Sequence, residues 1–137
     1  MNDEQVLGID PGRQKVGLAL VDASGAIVWR AIVPANEMRS ALQTVFLERP
    51  ITLVALGHST GSDTAAEIVR AILQEQNHPA TLQIVDERDS TLQARALYFE
   101  AHPPRGWRAW VPISLQTPPE AIDDFAAAIL ARRALQR

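Results

Sequence analysis

Three apolar runs in the first 34 residues, each closed by a glycine- or proline-bearing turn, constrain this chain more than any other feature. Val6-Leu7-Gly8-Ile9 ends in Asp10-Pro11-Gly12, Val16-Gly17-Leu18-Ala19-Leu20-Val21 ends near Ser24-Gly25, and a third stretch runs from Ala26 to Pro34. Short runs with short gaps predict an antiparallel meander. The pattern then changes. Asn36 reads as the N-cap of a helix carrying Met38, Leu42, Val45 and Phe46. Ile51 to Gly57 is a continuous apolar run, as expected for a strand covered on both faces. Ser62 or Asp63 caps the next helix, with Ala66, Ile68, Val69, Ile72 and Leu73 at helical spacing. Leu82, Ile84 and Val85 form a fifth strand, Ser90-Thr91-Leu92-Gln93 matches a capping box for a helix to about Glu100, and a last helix is expected from about Pro119 to Gln136. Three strands followed by strand-helix units predict an α/β sandwich rather than a pure Rossmann alternation.

Composition narrows the chemistry. The 137 residues, 47% of them apolar, suffice for one domain spanning 1–137, and no apolar run approaches the length of a membrane span. The opening Met1-Asn2-Asp3-Glu4-Gln5 lacks a basic-then-apolar leader, so a cytoplasmic protein with no membrane partner is expected. With no cysteine and three scattered histidines, thiolate nucleophiles, disulfides and cysteine-zinc sites are excluded, which leaves carboxylates for demanding chemistry. The net charge of −3 gives no global attraction to polyanions, so nucleic acid would have to be met by a local patch.

Carboxylates stand where elements end. Asp10 closes the first strand, either to hydrogen-bond its own turn or to meet a cation. Glu87 follows the fifth strand within Asp86-Glu87-Arg88-Asp89, where an acid could equally pair with a helix dipole. In the last helix, Ile122, Phe125, Ala126, Ile129 and Leu130 form an apolar stripe that puts Asp123 at its margin, able to reach over the sheet, and Asp124 nearly opposite, facing water. Carboxylates with no competing Cys or His suit hard cations such as Mg2+, with Mn2+ able to substitute, and two such ions suit phosphoryl chemistry.

These residues resemble a known group. Leu7-Gly8-Ile9-Asp10-Pro11-Gly12-Arg13-Gln14-Lys15-Val16-Gly17 is similar to the first-strand motif of RuvC-type Holliday junction resolvases and the related YqgF (RuvX) nucleases. Asp86-Glu87-Arg88-Asp89-Ser90-Thr91 resembles the YqgF D-E-R-x-[ST]-T segment, and Ile122-Asp123-Asp124-Phe125-Ala126-Ala127 resembles its final helix. The resemblance implies an RNase H-like fold, a five-stranded mixed sheet with helices on both faces. It also implies Asp10, Glu87 and Asp123 as catalytic metal ligands, with Asp124 or Asp63 as candidate fourth acids. Gly12, Arg13, Lys15 and Arg88 would lie near the phosphate, and the cut strand would carry a 5′ phosphate. The usual G-L-P-x-x-x-D-G loop is replaced by Gly57-His58-Ser59-Thr60-Gly61-Ser62-Asp63, so the chain reads as a divergent branch.

Several residues could touch a substrate. Arg105, Trp107 and Arg108 combine cations with aromatic faces able to stack on unpaired bases, although the tryptophans could equally cap the core. His58 and Thr60 stand at the mouth of the fourth strand, where substrate contact competes with helix capping. The leading expectation is a metal-dependent endonuclease, a phosphodiester hydrolase, acting on branched DNA, for which a homodimer that cuts opposed strands is expected. The alternatives are a YqgF-like ribonuclease acting on structured RNA such as pre-16S rRNA, and a non-catalytic nucleic-acid-binding module.

Overall fold

The three N-terminal runs form strands β1 (Gln5–Asp10), β2 (Lys15–Asp22) and β3 (Ile27–Pro34), paired antiparallel in sequence order as the meander predicts. This computed structural model describes residues 4–59, 61–86, 90–103, 106 and 123–136, with the backbone alone for 90–92. Asp22 closes the β2–β3 hairpin: its Oδ1 accepts from the Ser24 hydroxyl at 2.6 Å and from the Ser24 and Ala26 amides at 2.9 and 3.0 Å. These bonds hold the Asp22 carboxyl below its ordinary pKa, the Ser24 hydroxyl being the largest cause.

Helix α1 (Met38–Glu48) leads back to β4 (Ile51–Gly57), which pairs parallel with β1, and α2 (Ser62–Glu75) leads to β5 (Thr81–Val85), parallel to β4. The sheet order is β3-β2-β1-β4-β5. Helices α3 (Ser90–Ala101) and α4 (Asp123–Leu135) complete the described elements. Residues 119–122, where the last helix was expected to start, lie outside the described residues.

Two of the expected side-chain caps are corrected, and the capping box at Ser90 rests on side chains outside the described ones. Asn36 lies inside a 3-10 turn, Ala35–Glu37, and the Met38 amide bonds the Ala35 carbonyl, so backbone geometry serves the start of α1. Ahead of α2 the cap position is Gly61 at φ +96°, with no side-chain cap; the Ser62 amide donates to Ser59 and that of Ala65 to Gly61. A left-handed residue at this turn is what glycine permits, and the helix begins directly after it, so that Ser62 is its first residue rather than its cap.

Alternation along the strands builds two cores. Leu7, Ile9, Val16, Leu18, Leu20, Val54 and Leu56 face α1 and α2, meeting Leu42, Phe46, Val69 and Ile72. Each such buried aliphatic side chain contributes about 1.5–3 kcal/mol. The opposite face is built of small groups: Ala19 and Ala55 meet Ala126, Ala127, Ala128 and Ala131 of α4, with α3 packed outside through Leu97, Tyr98 and Phe99. Glycines set the distance of approach. A Cβ on Gly8 would lie 1.8 Å from the Ala127 carbonyl oxygen, and one on Gly17 would lie 2.0 Å from that of Asp123. The helix backbone therefore rests directly on β1 and β2.

Candidate active site

Alternation also places the first acid. Leu7 and Ile9 face α1 and α2, so Gly8 and Asp10 point to the α4 side; on β2 the corresponding residues are Lys15, Gly17, Ala19 and Val21. Asp10 stands opposite Gly17 in the β1–β2 ladder, where paired Cα atoms are about 5 Å apart. Asp123 rests on that same Gly17, so the fold brings Asp10 and Asp123 to one corner although more than a hundred residues separate them. Lys15 joins them, its Nζ 3.4 Å from Asp123 Oδ2. With the two side chains 52% and 34% exposed, this pair orients charges and adds little stability.

The C-terminal ends of the parallel strands open on the same edge, the usual crevice for ligands in α/β sheets. Leu56 pairs with Ile9, Gly57 with Val85, and the His58 amide donates to the Val85 carbonyl. His58 and Arg13 are exposed on the turns beside this edge, and Ser59 Oγ donates to the Pro11 carbonyl at 3.5 Å, tying the two turns together. Gly12 is required by its own turn, since a Cβ there would meet the Lys15 carbonyl oxygen at 2.5 Å. Asp63 is exposed in the first turn of α2. The chain leaves β5 at Val85, and the guanidinium of Arg133 on α4 donates to the Asp86 carbonyl. Glu87, Arg88, Thr60, Arg105, Trp107 and Arg108 lie outside the described residues.

Asp124 is the main correction. In place of facing water it is 4% exposed, with Oδ2 accepting from the Arg30 guanidinium at 2.7 Å and Oδ1 from the Phe125 amide at 3.0 Å. The stripe argument assumed one buried face, whereas α4 is sandwiched between the sheet and α3, so Phe125 through Ala131 are all buried. A carboxylate there needs a partner, and β3 supplies it. Arg30 also lies 4.5 Å from the centroid of the Phe125 ring, which in turn meets Tyr98 edge-on at 5.8 Å. Sequence reasoning missed Arg30, though a lone cation inside Ile27-Val28-Trp29-Arg30-Ala31-Ile32-Val33 signals a buried partner.

Among the described residues no three acidic or imidazole groups gather around one point. Asp10 and Asp123 nevertheless supply two hard oxygen donors at one corner, a donor set that fits Mg2+ or Mn2+ rather than a soft metal.

No curated protein sequence matches the chain. Among solved structures, Thermus thermophilus RuvC is similar at 18% identity and a TM-score of 0.56, over 96% of this chain and 93% of that one. The same protein in complex with Holliday junction substrate gives 18% identity and a TM-score of 0.52, over 97% and 94% of the two chains. The sheet order, the helices on both faces and these matches identify the RNase H-like fold that RuvC has. No helix among the described residues is long and apolar enough to cross a membrane. Residues 4–97 match the model of the Tex protein YqgF-like domain, and with two thirds of its length inside that match the chain belongs to this family.

Proposed function

We propose that this chain is a divalent-metal-dependent endonuclease, a single nuclease domain that hydrolyses phosphodiester bonds in branched nucleic acid. The observation that carries the reading is the convergence of Asp10 and Asp123, from opposite ends of the chain, on Gly17 at the open edge of the sheet. Glu87, two residues beyond Val85, is proposed as the third ligand. Two Mg2+ ions held by these acids would acidify an attacking water and steady the leaving oxygen. The chain's own groups do the rest. Lys15, half exposed beside Asp123, can meet a phosphate oxygen, and Arg13 and His58 flank the path of the strand. Arg88, Arg105, Trp107 and Arg108 are proposed contacts, the aromatic ring stacking on an unpaired base. Water attacks phosphorus, the bond to the 3′ oxygen breaks, and a 3′ hydroxyl and a 5′ phosphate result. Asp124, engaged by Arg30, is left outside the ligand set.

Branched DNA is the preferred substrate on the likeness to RuvC, solved with a Holliday junction, and a homodimer would present two such sites to opposed strands. Structured RNA such as pre-16S rRNA is the alternative for the same acids. One contact favours a second reading, a non-catalytic binding module: Lys15 already places a positive charge beside Asp123.

The test is cleavage of a four-way junction and of a structured RNA by the wild type and by Asp10→Asn, with Mg2+ and with chelator. The nuclease reading expects cutting that chelator abolishes and that Asp10→Asn reduces by at least a thousandfold. Binding of either nucleic acid without cutting would establish the module reading instead.

A further inference from the structure

The pair formed by Arg30 and Asp124 lies beside the proposed catalytic corner, yet none of the chemistry assigned above uses it. We propose that Arg30 is a positioning residue: by holding the buried Asp124 carboxylate it sets the rotation of α4 about its own axis and so aims Asp123 at Asp10. The inference rests on the nuclease reading.

The small groups against the sheet do not by themselves select that rotation. Ala127 and Ala131 of α4 lie over Gly8 and Asp123 over Gly17, and Ala19 and Ala55 belong to the same cluster. Such contacts fix the distance of the helix more tightly than its roll, which the buried Phe125, Ile129 and Leu130 and the Asp124 pair must then set. The buried Asp124 carboxylate cannot roll away from its cation without being left unpaired away from water, although Arg30 itself reaches solvent. Among the described residues, the partners of the Asp124 carboxylate are Arg30 and the neighbouring Phe125 amide. The guanidinium also lies over the Phe125 ring of α4, so one residue of β3 engages the helix at two neighbouring positions.

Geometry turns this anchor into an aim for Asp123. Successive helical residues are about 100° apart around the axis. The sheet order is β3-β2-β1, so pinning Asp124 toward β3 turns Asp123 back over β2, where it rests on Gly17 beside Asp10 and Lys15. A side-chain end at the helix rim lies about 5 Å from the axis, so a roll of about 30° would carry it about 2.6 Å. That exceeds the tolerance of a metal-ligand bond, and misplacements near 1 Å already lower rates a hundredfold. Arginine suits the task because its planar fork can bond a carboxylate while stacking on a ring, which a lysine ammonium does less well.

The experiment uses Mn2+ binding, followed by electron paramagnetic resonance without nucleic acid, together with crystal structures of the variants. Arg30→Met leaves Asp124 unpaired and is at risk of unfolding; Arg30→Met combined with Asp124→Leu replaces the pair by apolar groups and keeps the fold. In the folded double variant α4 is expected to be rotated or to occupy more than one rotation, with Mn2+ affinity at least tenfold weaker. Arg30→Lys should recover part of that loss, which a purely structural role predicts only for stability. Either an unrotated α4 or an affinity within twofold of wild type overturns the proposal. Failure of the wild type to bind Mn2+ overturns the nuclease reading and the inference with it, and that result is distinguishable because it is seen before any variant is made.

Discussion

Gly17→Ala should damage the candidate site through packing alone. The added Cβ would stand 2.0 Å from the Asp123 carbonyl oxygen, 2.3 Å from its carbonyl carbon and 2.9 Å from its Cβ. Restoring the 3.4 Å at which ordinary contact begins requires the start of α4 to lift by about 1.4 Å. The obstacle is helix backbone rather than the end of a flexible side chain, so relaxation must move the element. Overpacking of this kind costs about 1–3 kcal/mol, and alanine's advantage over glycine in a strand returns about 0.5–1 kcal/mol. A net destabilisation of about 1 kcal/mol is expected, or about 4 °C in Tm for a chain of this size. Function should fall further than stability: a ligand displaced by more than 1 Å implies about a hundredfold loss of cleavage or a comparable loss of Mn2+ affinity, measured where the variant remains folded. Gly8→Ala is the control, since its Cβ would meet Ala127, one turn along the helix from Asp123. It should destabilise at least as much while disturbing metal binding less. The reasoning is refuted if Gly17→Ala keeps wild-type Tm and Mn2+ affinity.

Three further outcomes are expected. Arg30→Met should destabilise by about 1–3 kcal/mol by leaving Asp124 buried without its cation, whereas Arg30→Met with Asp124→Leu should lie near wild type in urea denaturation. Lys15→Met should shift stability by less than about 1 kcal/mol, because its pair with Asp123 is partly solvated, and equal melting curves at low and high salt would accompany that result. The Asp22 carboxyl is held below its ordinary value of 3.8, so its stabilisation is complete above that pH and is lost as pH falls through the lower folded-state value. Asp22→Asn should therefore weaken the hairpin at pH 6 and converge with wild type toward pH 2 in acid denaturation; a constant gap between the two would contradict the assignment.

Much of the fold was legible because short apolar runs and tight turns leave few arrangements. Val6 to Ile9, Val16 to Val21 and Ile27 to Val33 pair as the meander requires, and Met38, Leu42, Val45 and Phe46 fall on the buried side of α1. The helix starts were less legible, since Gly61 and the 3-10 turn at Ala35–Glu37 satisfy the amides through backbone geometry that side-chain signatures do not report. At the site, helical phase placed Asp123 correctly at the margin of the apolar stripe. The same phase misplaced Asp124, because a single helix pattern cannot reveal that α3 covers the far side or that a strand more than ninety residues earlier supplies Arg30. Buried partnership between distant segments is a tertiary fact, and its faint mark in sequence was a charge standing inside an apolar run on each side.

The seating of α4 on β1 and β2 also governs when a site can exist. Asp10 is in place as soon as the N-terminal hairpin forms, but Asp123 arrives only when a helix separated from it by more than a hundred residues closes onto Gly8 and Gly17. Closures of such sequence separation come late, because loop entropy must be overcome before the contact is gained. A partly folded chain therefore carries the corner without Asp123, with Ala19 and Ala55 uncovered by α4. Metal binding at this corner would then report completed folding, and a chain interrupted before α4 would bind poorly even with its sheet intact.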